Sequence, residues 1–156
     1  MTGKSLVFFI ATALASVGAQ AALGEKVQAT DRPHQATGPA ALAAGAARSE
    51  PGFTRRELTL DDGTKATEFV NDDGMVFAVS WASPTMPDLR AILGAYMTGL
   101  EKQQQARFGK ARSPGRLQVT EGDWTIVSVG HLRAYKGYSY LGSLLPQGFD
   151  TKRLAQ

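Results

Sequence analysis

The sequence predicts an α+β fold, an antiparallel sheet of about five or six strands in β-β-β-α-β-β order covered by one amphipathic helix. Three observations predict it. Two Asp-Gly turn signals separate three β-prone runs, one apolar stripe follows a 3.6-residue period, and alternation returns beyond a Ser-Pro-Gly break. Residues 53–60 lead into Asp61-Asp62-Gly63, residues 64–70 into Asn71-Asp72-Asp73-Gly74, and residues 75–81 follow. A glycine after aspartate accepts positive φ and reverses the chain tightly, so the three runs should form a meander. Period two then places Met75, Phe77, Val79 and Trp81 on one face and Val76, Ala78 and Ser80 on the other.

Leu89, Ile92, Leu93, Tyr96, Met97 and Leu100 fall at i, i+3, i+4, i+7, i+8 and i+11, one face of a helix. Thr85-Met86-Pro87-Asp88 before them reads as a capping box with Thr85 as N-cap. Gly109 and Ser113-Pro114-Gly115 end the helix. Residues 117–120 and 124–130 then alternate as strands around Glu121-Gly122-Asp123. Residues 131–140 extend or follow the second of these, with Gly130 and Gly137 marking a bulge, bend or hairpin. Residues 141–145 can form a helical turn, and Asp150 can cap another near the C-terminus.

Upstream of this unit, which runs over residues 53–154, the chain reads differently. Lys4 precedes an apolar run over residues 5–17, and Ala19-Gln20-Ala21 follows. That is the order of a secretory signal peptide over residues 1–21, with cleavage expected after Ala21 and the mature chain in the periplasm or secreted. The apolar run is about 13 residues, short of the roughly 20 that span a bilayer, so no transmembrane span is expected after cleavage. Residues 22–52 are rich in Ala, Gly and Pro and read as a flexible tether, because so few large apolar side chains cannot offset chain entropy.

The overall composition, 43% hydrophobic and 20% charged, is that of a soluble globular domain. The absence of cysteine excludes disulfides, thiolate metal sites and cysteine nucleophiles. A formal charge of +3 from 17 basic and 14 acidic residues, with no recognition motif, argues against nucleic acid.

Several strings occur together: Ala22-Leu23-Gly24, Gly74-Met75-Val76-Phe77-Ala78-Val79-Ser80-Trp81, Pro84-Thr85-Met86-Pro87-Asp88-Leu89-Arg90 with Leu93-Gly94-Ala95-Tyr96, and Gly130-His131-Leu132-Arg133-Ala134-Tyr135 with Leu144-Leu145-Pro146. From about Phe53 to Phe149 the chain resembles a family of small exported proteobacterial proteins classed as a domain of unknown function. The resemblance implies a Gram-negative envelope location and carries over no activity, cofactor or catalytic residue.

Chemistry is sparse. His131, Arg133 and Tyr135 fall on one face of a strand by period two, and can form a polar row for an anion or a partner carboxylate. The same His131 with Arg133 and a nearby carboxylate is the basis of an alternative hydrolase reading; a Ser-His-Asp set can also be composed from Ser80 or Ser128 with His131 and an aspartate, though no Gly-x-Ser-x-Gly elbow exists. The acidic turns lack the alternating ligands of a calcium loop, and no metal or cofactor is expected. Arg107, Lys110, Arg112 and Arg116, with Lys102, form an acid-free basic stretch suited to an anionic envelope polymer or lipid. Tyr135, Tyr138 and Tyr140 can line a ligand groove or pack as core. The preferred expectation is a non-catalytic module that binds another envelope component or assists assembly, with exposed strand edges as one recognition mode.

Overall fold

The computed structural model describes residues 22–27, 44–106 and 115–155. The expected signal peptide, the tether residues 28–43, and Arg107, Lys110 and Arg112 lie outside them. One seven-stranded antiparallel sheet is built from β1 (Ala44–Glu50), β2 (Phe53–Thr59), β3 (Lys65–Asn71), β4 (Val76–Ser83), β5 (Arg116–Glu121), β6 (Trp124–His131) and β7 (Ala134–Leu141). Its spatial order is β1-β2-β3-β4-β7-β6-β5. The helical segment between β4 and β5 carries the chain to the far edge, and the second meander returns until β7 lies beside β4. The α+β expectation holds, with seven strands instead of five or six.

The additional strand, β1, occupies residues that composition assigned to the tether. It pairs with β2 from Ala44↔Leu58 to Glu50↔Phe53. Pairing needs main-chain groups and not large side chains, which is why an Ala/Gly-rich stretch can supply it. A second part of the supposed tether is also built in. Val76 accepts from Gly24 at 2.9 Å and donates to Glu25 at 3.0 Å, Val27 donates to Gly74, and Leu23 is buried under α1 (Leu89–Leu93), donating to Ile92. One leucine and a few ladder bonds hold this segment where a hydrophobicity count gave nothing.

The helical segment is also corrected. Asp88, not Thr85, is the N-cap, its carboxylate accepting from the Arg90 and Ala91 backbones. Asp88→Ala is expected to cost about 1 kcal/mol by urea denaturation, the usual loss of a carboxylate cap. The apolar stripe faces the sheet as expected, but the helix is interrupted: Gly94 takes φ 54 and opens a 3-10 turn before α2 (Met97–Ala106). Ala22 packs against Gly94, and an added Cβ there would lie 3.4 Å from the Ala22 side chain, so the break makes room for the N-terminal segment.

Strand register shifts twice among the described residues, between Ala44 and Ala47 of β1 and again at the start of β4. Phe69 pairs with Ala78 but Val70 with Val76, which leaves Phe77 as the extra residue of a bulge. Val76, Val79 and Trp81 therefore share the helix-covered core with Leu58, Ile126 and Leu141, while Phe77 and Ala78 turn to the other face. The expected grouping of Phe77 with Val79 and Trp81 fails for this reason. Trp81 lies over Gly137 of the neighbouring strand, and a Cβ on Gly137 would fall 2.4 Å from its ring and 2.6 Å from the Val127 carbonyl. Gly137→Ala should therefore cost on the order of 1–3 kcal/mol through overpacking. Gly130→Ala, which meets only the half-exposed Tyr135 ring, should cost less in the same melts.

The C-terminal turns cover part of the second face. Phe149 closes a cluster with Phe53, Phe69 and Phe77, and Leu154 is buried beside them. Arg153 pairs with Glu50 and lies over the Phe53 ring, which joins this turn to β1. In the β5–β6 turn, Asp123 accepts from the Ser143 hydroxyl, and that bond holds its carboxyl below the ordinary 3.8. A depressed folded value stabilises the fold above the unfolded pKa and loses the contribution as pH falls through the folded one. The stability deficit of Ser143→Ala should therefore be present at neutral pH and fade as an acid titration passes below the ordinary carboxylate range.

Candidate functional site

The helical segment covers one sheet face and the C-terminal turns cover one end of the other. What remains is an open groove of about 500 Å³ on the second face, across β3, β4, β7, β6 and β5. Small-molecule sites fall within roughly 300–1,000 Å³. Strand register builds it in two rows. Thr67, Ser80, Tyr138, Val127 and Gln118 stand opposite one another in sequence across the five strands, and Lys65, Ala82, Lys136, Val129 and Arg116 form the next row. Among the described residues no aspartate or glutamate lines the groove.

Of the residues expected at a binding surface, Arg116, Tyr138 and Tyr140 share this face. Tyr138 and Tyr140 stack with centroids 6.4 Å apart and planes 17° from parallel. Tyr135 does not join them: it pairs with Gly130 and sits over it, on the side of the sheet that carries Gly137 and Ser139. The supposed row of His131, Arg133 and Tyr135 is not a row. His131 pairs with Ala134, so Leu132 and Arg133 form the tip of a hairpin, with Leu132 94% exposed and Arg133 at φ 66. Gly130 and Gly137 thus belong to facing strands of a hairpin, one of the three arrangements their spacing left open.

The serines do not meet His131 either. Ser80 pairs with Tyr138, four residues along β7 from the partner of His131, or roughly 13 Å at the strand rise. Ser128 pairs with Gly137 and points to the opposite face. No ion pair or hydrogen bond joins His131 or Arg133 to a carboxylate among the described residues.

The acidic loops are turns. Asp62 accepts from the Thr64 backbone at 2.8 Å and the Asp88 backbone at 3.1 Å; burial works to raise its carboxyl, but these hydrogen bonds prevail and lower it. Asn71 likewise accepts from Asp73 and Met75. Among the described residues no three His, Cys, Asp or Glu side chains gather where a metal could sit, and no helix is long and apolar enough to cross a membrane.

Comparison with known proteins places the chain in a family. Residues 19–154 match the family described as protein of unknown function DUF2844. The chain belongs to that family. The match includes Ala22-Leu23-Gly24, in keeping with the seating of that segment against α1 and β4. No curated protein and no solved structure matches the chain.

Reading the sequence misses Lys65, Lys136, Thr67 and the two valines, and considers Ser80 only as a nucleophile. Each lies on its own strand with an unremarkable neighbourhood. Only the long-range register of β4 against β7, which joins the two meanders, brings them together.

Proposed function

We propose that the chain is an exported, non-catalytic binding module of the Gram-negative envelope, and that its binding surface is the open half of the second sheet face. One observation carries this reading: the groove combines three cations, no acid, and a floor of Val127, Val129 and Tyr138. Arg116 and Tyr138, both expected at a binding surface, belong to it, while His131 and Arg133 stand away at the hairpin tip. Among the described residues the hydrolase alternative has no assembled nucleophile and base in its favour.

Export rests on the order of the first 21 residues, and the ladder bonds of Gly24 and Val27 give the domain a seat for the chain immediately after the expected cleavage point. Site-specific photocrosslinking tests the surface. A crosslinker at Val129 should capture an envelope component in intact cells, and one at Thr98 on the outer side of α2 should not. Equal capture from both positions, or none from Val129, refutes the assignment.

A further inference from the structure

Resting on the open-face reading, we propose that the groove takes an extended acidic polysaccharide lying across the strands. The cations set the ligand's form. Lys65, Lys136 and Arg116 alternate with Ala82 and Val129 along one cross-strand row. With neighbouring strands about 4.8 Å apart, successive cations stand about 10 Å apart and the row spans about 20 Å. Those are main-chain separations, and long side chains can close the smaller one. A single anionic head still cannot reach both ends of a row of about 20 Å, so a ligand that engages all three cations carries anions repeatedly along its length. Each exposed pair is worth little, and affinity accumulates from several pairs on one chain.

The adjacent row supplies the rest of the chemistry. Thr67 and Ser80 present hydroxyls and Tyr138 a ring, which suit the hydroxyls and the apolar C–H faces of sugar units. An extended acidic peptide gains its main affinity by adding a strand that runs along a sheet edge, whereas this row runs across the strands from β3 to the edge strand β5. A lipid surface is met by apolar residues that stand clear of the protein, whereas Val129, 37% exposed in the same row, is shorter than the cationic side chains on either side of it.

The test uses protein expressed with its full sequence and purified after export, titrated calorimetrically with an oligouronate long enough to span about 20 Å. Saturable binding is expected, with a neutral glucan of equal length and a monomeric uronate at least about tenfold weaker. Combined Lys65→Gln, Lys136→Gln and Arg116→Gln should lower affinity on the order of tenfold, with circular dichroism unchanged, whereas Lys102→Gln with Lys152→Gln should leave it intact. Comparable binding of polyglutamate or phosphatidylglycerol vesicles through the same three cations overturns the glycan assignment, as does insensitivity to the triple substitution. If Val129 still crosslinks in cells while the oligouronate fails, the ligand class is wrong and the surface stands. If both fail, the surface is wrong as well.

Discussion

Arg56→Ala is expected to destabilise the fold by about 3–5 kcal/mol, read as a fall in urea midpoint at unchanged slope. The reason is the position of its partner. Arg56 and Glu68 face each other across β2 and β3, 3.3 Å apart, on the helix-covered side of the sheet. The Glu68 side chain is only 4% exposed, and it stands in register between Arg56 and Val79. Withdrawing the guanidinium leaves a carboxylate desolvated without its nearby countercharge, and desolvation of an ion costs more than an ordinary lost hydrogen bond. Replacing both residues removes that penalty together with the pair. Arg56→Met with Glu68→Leu should therefore be much less destabilised than Arg56→Ala. A double variant as unstable as the single one would show that the pair is needed for more than its own neutralisation.

Phe77→Ala should cost a similar amount, about 3–5 kcal/mol. Phe77 is fully buried at the bulge, with the Phe53 and Phe69 rings at 6.1 Å and Phe149 at 4.9 Å. Three of those four rings sit on strands and one on the C-terminal segment, so the cluster fastens that segment to the sheet. Phe149→Ala removes a half-buried ring and should cost less. Both variants should raise amide exchange in Thr151–Ala155 by hydrogen–deuterium mass spectrometry, because loss of either ring loosens the turn. If exchange rises in α2 instead, the two cores are not separate units.

The local elements were legible because their signals are local. The Asp-Gly turns show Gly63 and Gly74 at φ 80 and 78, the apolar stripe faces the sheet, and Asp150 accepts from the Lys152 backbone as the expected cap. What could not be read depended on pairing between distant residues. β1 is a strand because β2 offers it an edge, not because its side chains favour one. The bulge at Phe77 shifts every face assignment toward the start of β4, and period two has no term for an extra residue.

The site follows the same division. Tyr138 and Tyr140 are recognisable as a pair on one strand, whereas proximity in sequence groups Tyr135 with them although its odd position puts it on the other face. Period two puts His131 and Arg133 on one strand face, but the chain reverses between them, with Arg133 itself in the left-handed region. The cationic row is invisible along the chain because its members come from β3, β5 and β7.

Lysine footprinting in the native envelope tests the open face most directly. Lys65 and Lys136 line the groove, and Lys102 and Lys152 are exposed elsewhere on the domain. Acetylation of intact cells, compared with the purified protein, should show Lys65 and Lys136 protected several-fold and Lys102 and Lys152 reacting equally in both states. Equal reactivity of all four lysines, or protection confined to Lys102, would contradict the assignment of the binding surface to this face.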